Sequence, residues 1–141
     1  MNSTEKTKKQ LKSWYSNKQS DSRKNKLKID FTFEEFEKWY RNQPKECHYC
    51  GLTENEQFKV IQSSKLTSNR FFTEKNGKRG RFLEIDRKNP KGPYSKDNCV
   101  FCCYFCNNDK SDIFSESQYK SFNEINGVNP RVQFLRNLLK K

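Results

Sequence analysis

Apolar residues are unevenly distributed along the chain, and where they cluster they mostly recur at helical intervals. Leu11, Trp14 and Tyr15 fall at i, i+3 and i+4, which predicts a short amphipathic helix. Ser20-Asp21-Ser22 is expected to break it, with order beginning near Leu27. Thr32-Phe33-Glu34-Glu35 has the form of a capping box, the Thr32 hydroxyl accepting from the Glu35 amide while the Glu35 carboxylate reaches back. Phe33, Phe36, Trp39 and Tyr40 then give a helical stripe that reads as core, and Gln43-Pro44 ends the helix.

Residues 53–80 have no dominant period. Phe58-Lys59-Val60-Ile61 fits a short strand or a helical turn. Asn69 to Arg81 reads as a basic loop turning at Asn76-Gly77, in a hairpin whose return strand runs from Arg81 to Asp86. Phe82, Leu83 and Ile85 give that run its strand character, and Asn89-Pro90-Lys91-Gly92-Pro93 halts any regular element. A helix is expected to start between Tyr104 and Asn107 and to end near Asp112. Ser115-Glu116-Ser117-Gln118 is a second capping box, opening a helix with Tyr119 and Phe122 inward and Gly127 near its end. Asn129-Pro130 places an N-cap and an N1 proline ahead of a last helix. Its expected apolar face is Val132, Phe134, Leu135, Leu138 and Leu139.

Composition changes this picture in two ways. Of the 141 residues, 31% are hydrophobic and 33% charged, lean for a self-supporting core, so a bound metal would add folding free energy where apolar burial falls short. The net charge is +12, from 29 Lys+Arg against 17 Asp+Glu, which points to a phosphate-rich partner: nucleic acid, DNA or RNA, or a ribonucleoprotein. Residues 1–28 hold eight Lys and one Arg against Glu5 and Asp21, so they read either as a solvated basic arm or as a nucleic-acid-binding one. No apolar run is long enough to span a membrane and no secretory leader is evident, so a cytoplasmic, reducing location is expected.

In such a compartment clustered cysteines read as metal ligands. Cys47 and Cys50 form one Cys-x-x-Cys knuckle, and Gly51 follows where a positive φ would turn the chain back. Two later pairs have the same spacing, Cys99 with Cys102 and Cys103 with Cys106. The second pair leads into the expected helix, whereas Cys99 and Cys102 sit in a strand-like apolar run and suit the core. The expected ligand set is therefore Cys47, Cys50, Cys103 and Cys106, four thiolates filling a closed structural zinc (Zn²⁺) site. His48 is expected to face solvent.

The segments Cys47-His48-Tyr49-Cys50-Gly51, Leu83-Glu84-Ile85-Asp86-Arg87 and Asp97-Asn98-Cys99 through Cys106-Asn107-Asn108-Asp109-Lys110 resemble, in order and spacing, the four-cysteine form of the HNH endonuclease family. The resemblance spans residues 44 to 112 and agrees with Cys103 and Cys106 as ligands. It implies an α+β fold: a small zinc-bound ββα-metal, treble-clef-like core with flanking helices. The implied organisation is a basic arm over 1–28, an HNH-like zinc domain with a leading helix over 29–114, and a C-terminal helical extension over 115–141.

The resemblance also implies one catalytic divalent cation, Mg²⁺ or Mn²⁺, with Asp86 as first ligand, Asn107 as second and Asn98 as the middle Asn of the motif. The general-base position, a His in the family, falls on Arg87, whose guanidinium stays protonated and does not accept a proton. Glu84, on the same strand face as Asp86 by period two, is the alternative base or ligand. Tyr94 is a candidate nucleophile or orienting group, and proton transfer to solvent is the third route. Alternatively Asp86 and Arg87 pair with each other or cap the turn at Asn89-Pro90, or Arg87 grips a phosphate.

Two functions follow from the resemblance. One is a metal-dependent nuclease whose Arg70, Lys75, Lys78, Arg79, Arg81 and Arg87 track the nucleic-acid backbone. The other is a catalytically inactive HNH-like module that binds nucleic acid or a nucleoprotein, for example as a phage or mobile-element accessory factor or anti-defence inhibitor. A zinc-knuckle transcription factor ranks behind both, since no separate recognition helix is apparent.

Overall fold

The computed structural model describes residues 5–25, 28–63, 65–66, 80–124 and 127–140. Helix α1 (Lys8–Asn25) packs on α2 (Phe33–Asn42). Next come α3 (Glu54–Gln62), an antiparallel ribbon of β1 (Glu84–Arg87) and β2 (Cys99–Cys102), and α4 (Tyr104–Lys110) directly after the ribbon. Two further helices follow, α5 (Glu116–Asn123) and α6 (Pro130–Leu138).

The core begins at α2. Thr32 and Glu35 form the expected reciprocal cap, and Phe36, Trp39 and Tyr40 are buried. Phe36 is enclosed by rings: Trp14 stacks on it at 4.6 Å, and Phe31, Phe33, Trp39 and Tyr40 surround it at 5.4–6.4 Å. Trp39 and Tyr40 carry the contact onward to Phe101 of β2, each with centroids 5.2 Å away. The aromatic stripe therefore joins the N-terminal helices to the ribbon.

The ribbon pairs Glu84 with Cys102, Ile85 with Phe101, Asp86 with Val100 and Arg87 with Cys99. A parallel bridge between Ile29 and Tyr94 straps the chain ahead of α2 to the loop entering β2, through Asp30 N–H donating to Tyr94 O at 2.7 Å and Tyr94 N–H to Lys28 O at 2.8 Å. The first knuckle is closed by Gly51 at φ +82°, a conformation a side chain would strain. His48 N–H donates to Phe101 O at 2.8 Å and fixes the knuckle against β2.

Several expectations need correction. Ser20-Asp21-Ser22 does not break the first helix; α1 continues to Asn25. The segment read as an arm is docked: Leu11 is fully buried in the main hydrophobic cluster and the Tyr15 hydroxyl donates to Phe31 O at 2.6 Å. Tertiary packing of three apolar residues outweighs the weak helix preference of the serines. Phe58 to Ile61 lies in α3, which opens with a third capping box, Thr53 and Glu56.

The return strand expected from Arg81 to Asp86 is shorter and later. It pairs with β2, and the expected turn at Asn76-Gly77 lies outside the described residues. Phe122 and Phe134, expected inward, are 54% and 57% exposed. Tyr119, Val132 and Leu135 are buried, and Leu138 and Leu139 pack partly buried against the core. No described helix is long and apolar enough to cross a membrane.

Candidate metal centre and cleft

Four sulfurs meet between the first knuckle and the start of α4. The ligand atoms of Cys47, Cys50, Cys103 and Cys106 all lie within 4.8 Å of one another, and Cys50 Sγ is 3.8 Å from Cys103 Sγ. A tetrahedron with Zn–S of about 2.3 Å has S···S edges of roughly 3.8 Å, the length of the Cys50–Cys103 edge. The sulfurs also accept hydrogen bonds as thiolates do. Tyr49 N–H donates to Cys47 Sγ at 3.4 Å and Cys106 N–H to Cys103 Sγ at 3.3 Å, because Cys103 is the N-cap of α4. Arg131 Nη1 donates to Cys106 Sγ at 3.4 Å while held by the Tyr119 hydroxyl at 2.7 Å and Asp109 Oδ2 at 2.6 Å. A cationic donor beside a thiolate offsets the net negative charge that four thiolates leave on a zinc centre. The set fits a structural metal.

Cys99 and Cys102 are buried in the ribbon, and burial pushes the Cys99 thiol up to about 12, so it stays protonated. His48 is not a ligand; its Nε2 contacts Glu116 Oε2 across the knuckle. Burial opposes ionisation of Glu116, but His48, Lys120 and Lys88 together hold its carboxyl below the usual range.

Beside the metal site, a cleft of about 640 Å³ runs along β1. Its lining includes Glu84, Asp86, Arg87, Tyr94 and Asn107, together with Lys6, Trp14 and Lys18. Four of the five candidate catalytic residues thus share one opening. Asn98 does not line it. The Asn98 side chain donates to Asn89 O at 3.1 Å and Pro93 O at 2.9 Å and accepts from Asn89 N–H at 3.0 Å, so it fixes the loop that carries Pro90 and Gly92. That loop has no spare room: a Cβ on Gly92 would stand 2.8 Å from Asn98 Nδ2.

Asp86 is 7% exposed, and its ion pair is with Lys110, not Arg87. Lys110 is fully buried at the end of α4, with Nζ 3.1 Å from Asp86 Oδ2 and donating at 3.1 Å to Arg87 O. The Tyr49 hydroxyl also donates to Asp86 Oδ2, at 2.6 Å. Burial raises the pKa of Asp86, and Tyr49 and Lys110 oppose it without fully cancelling it. Glu84 is half-buried and accepts from Asn107 Nδ2 at 3.3 Å, which brings the second strand-face carboxylate to α4. Arg87 Nη1 donates to Gly92 O at 3.1 Å, and its guanidinium lies 4.9 Å from the Tyr94 ring centroid.

Of the basic residues expected to track a backbone, Arg70, Lys75, Lys78 and Arg79 lie outside the described residues. Arg81 sits over the Phe58 ring at 4.3 Å. Sequence reasoning missed Tyr49, Lys110, Arg131 and the cleft wall on α1. Only Lys110 carried a signal, as the last residue of the Asn-x-x-Lys run after Cys106. Gln57 was also missed: it is fully buried, donates to Gly80 O and Phe82 O and accepts from Tyr104 N–H, so it aligns the entries to β1 and α4.

No protein-family model matches the chain, and no curated protein gives a significant match. Among solved structures, the chain is similar to the rare-cutting HNH restriction endonuclease PacI, whose structure is described as showing an extraordinary mechanism of DNA perturbation. The match has a TM-score of 0.63 and 25% identity, covering 90% of this chain and 81% of that one. The protein thus has an α+β, HNH endonuclease-like fold with a four-cysteine group able to hold a metal.

Proposed function

We propose that this chain is an HNH-like zinc protein that binds DNA and hydrolyses its phosphodiester bonds with one divalent cation, Mg²⁺ or Mn²⁺. The observation that carries the reading is the shared cleft, where Glu84, Asp86, Arg87 and Asn107 line one opening beside the four-cysteine cage. Similarity to an HNH restriction endonuclease favours DNA over the RNA and ribonucleoprotein partners that charge alone also allows.

Asp86 and the Asn107 amide would hold the cation, which when bound supplies charge against the scissile phosphate and the leaving oxygen. Arg87 serves as an electrostatic group, donating to non-bridging oxygens in the fork geometry that suits phosphate. Glu84 takes the proton of the attacking water, because Arg87 holds no free base and the chain's single His, His48, is engaged at the knuckle. The zinc cage holds α4 against the ribbon and so fixes the spacing of Asn107 from Glu84.

A second reading, a DNA-binding module without turnover, is favoured by one observation. Lys110 and Tyr49 already occupy the Asp86 carboxylate. Incubation of supercoiled DNA with zinc-loaded protein and Mg²⁺ or Mn²⁺ separates the two. The nuclease reading expects nicked or linear product that requires the added cation and disappears in Asp86→Ala and Glu84→Gln. DNA that is bound but intact with both cations would establish the second reading.

A further inference from the structure

We propose that α1 is a working wall of the cleft, its Lys18 forming with Arg87 a clamp for backbone phosphates of the bound DNA strand. The proposal rests on the DNA reading above and extends it to a part of the chain outside the HNH-like motif. α1 is anchored by Leu11 in the core and by Trp14 stacked on Phe36. One turn beyond Trp14 the helix presents Lys18. Its Nζ lies 5.3 Å from the Tyr94 ring centroid and 5.7 Å from that of Trp14, and Trp14 meets Tyr94 edge-on at 5.5 Å. The Arg87 guanidinium lies 4.9 Å from the same Tyr94 ring.

Two cations from different elements thus share one aromatic ring on the cleft wall, and among the described residues neither has a carboxylate ion-pair partner. Asp86, the nearest candidate in sequence to Arg87, is committed to Lys110. Like charges brought together without a counter-ion repel, and an apolar ring excludes the water that would screen them. A bound anion relieves that repulsion.

Lys6 adds a third cationic side chain to the lining of the same cleft. The clamp is also preorganised. Arg87 is held by Gly92 O, and Tyr94 is fixed on both backbone sides by the bridge to 28–30. The arrangement accounts for an arginine at the position where the family pattern has its base: it meets phosphate and takes no proton.

Two measurements test the clamp. Each phosphate contact contributes about 0.9 to the slope of log affinity against log salt for duplex DNA. By fluorescence anisotropy with a short duplex, Lys18→Gln and Arg87→Gln should each lower the slope by about 0.9, and Lys18→Arg should restore it. Lys38→Gln, a matched charge loss on the exposed side of α2, should leave it unchanged. A Lys18→Gln slope equal to that of Lys38→Gln overturns the clamp while the DNA reading stands.

The second measurement is NMR titration of the zinc-loaded protein with inorganic pyrophosphate. It should shift the Trp14 indole N–H and the Arg87 side-chain resonances, and Lys18→Gln should abolish both shifts. No shift at either group overturns the clamp. Shifts in a protein that binds no duplex uphold the anion site and remove the DNA reading instead.

Discussion

Replacing Lys110 by Met keeps most of the buried aliphatic volume and removes one charge, so it isolates the ion pair. In the wild type the fully buried ammonium faces an Asp86 carboxylate that is 7% exposed, and among the described residues the Tyr49 hydroxyl is the other side-chain donor to it. Removing one member of a buried pair costs about 3–5 kcal/mol. Asp86 has an escape, since it can take up a proton. Neutralising a carboxyl of unfolded pKa about 3.9 at about pH 7 costs on the order of 4 kcal/mol, at about 1.4 kcal/mol per pH unit. The loss is therefore about 3–4 kcal/mol near neutrality and falls to about 2 kcal/mol near pH 5.5.

Direction follows from linkage. Burial raises the folded-state pKa of Asp86 above its unfolded value, so its contribution is fully present below the unfolded pKa and is lost as pH rises through the folded one. Without Lys110 the folded pKa rises further, and the deficit of the variant widens as pH increases. Urea unfolding of zinc-saturated wild type and Lys110→Met between about pH 5.5 and pH 8 measures this. The double variant Asp86→Asn/Lys110→Met, which keeps an acceptor for Tyr49, should recover most of the loss. A deficit below about 1 kcal/mol, or one that widens toward acid, would refute the buried-pair account.

Other consequences of the structure are equally direct. Arg131→Ala removes the cationic donor to Cys106 Sγ; zinc transfer to a chromophoric chelator should quicken by about tenfold or more, and a rate equal to wild type would show that the contact does not protect the site. Zinc removal should unfold the region around α4 and the first knuckle, read as loss of near-ultraviolet circular dichroism from Tyr49 and Tyr104; an unchanged spectrum in metal-free protein would contradict a structural metal. Asn98→Ala strands three partners in the 89–93 loop and should cost about 1–3 kcal/mol, measured by thermal or urea unfolding, with duplex affinity falling because Arg87 loses its anchored partner at Gly92.

Local signals are legible in the sequence. The caps at Thr32, Ser115 and Asn129 and the helical stripe around Phe36 stand where the sequence implied, because each depends on residues within a few positions. The four-cysteine grouping was legible for the same reason: each knuckle is a local motif, and the choice of Cys103 and Cys106 rested on the adjoining helix start.

What stayed hidden is non-local. Ser20-Asp21-Ser22 looks like a helix end, yet α1 continues because its apolar face meets Phe36 from another element. Phe122 and Phe134 match the helical period of their neighbours, but the core covers Tyr119, Val132 and Leu135 and leaves these two exposed. The pairing of Asp86 with Lys110 joins residues 24 positions apart, and nothing in the composition of either segment announces it. The strand-face reasoning that grouped Glu84 with Asp86 needed only period two, and both do line the cleft.

Whether the cleft takes a divalent cation is the claim on which the nuclease reading rests, and it is measurable without turnover. Electron paramagnetic resonance of Mn²⁺ titrated into zinc-saturated protein should show one bound Mn²⁺ per chain, with NMR signals of Asn107 and Glu84 broadened first and binding abolished in Glu84→Gln/Asp86→Asn. Mn²⁺ that stays free in the wild type, or binds equally well to that variant, would contradict the account and leave the chain a DNA-binding protein with an HNH-like frame.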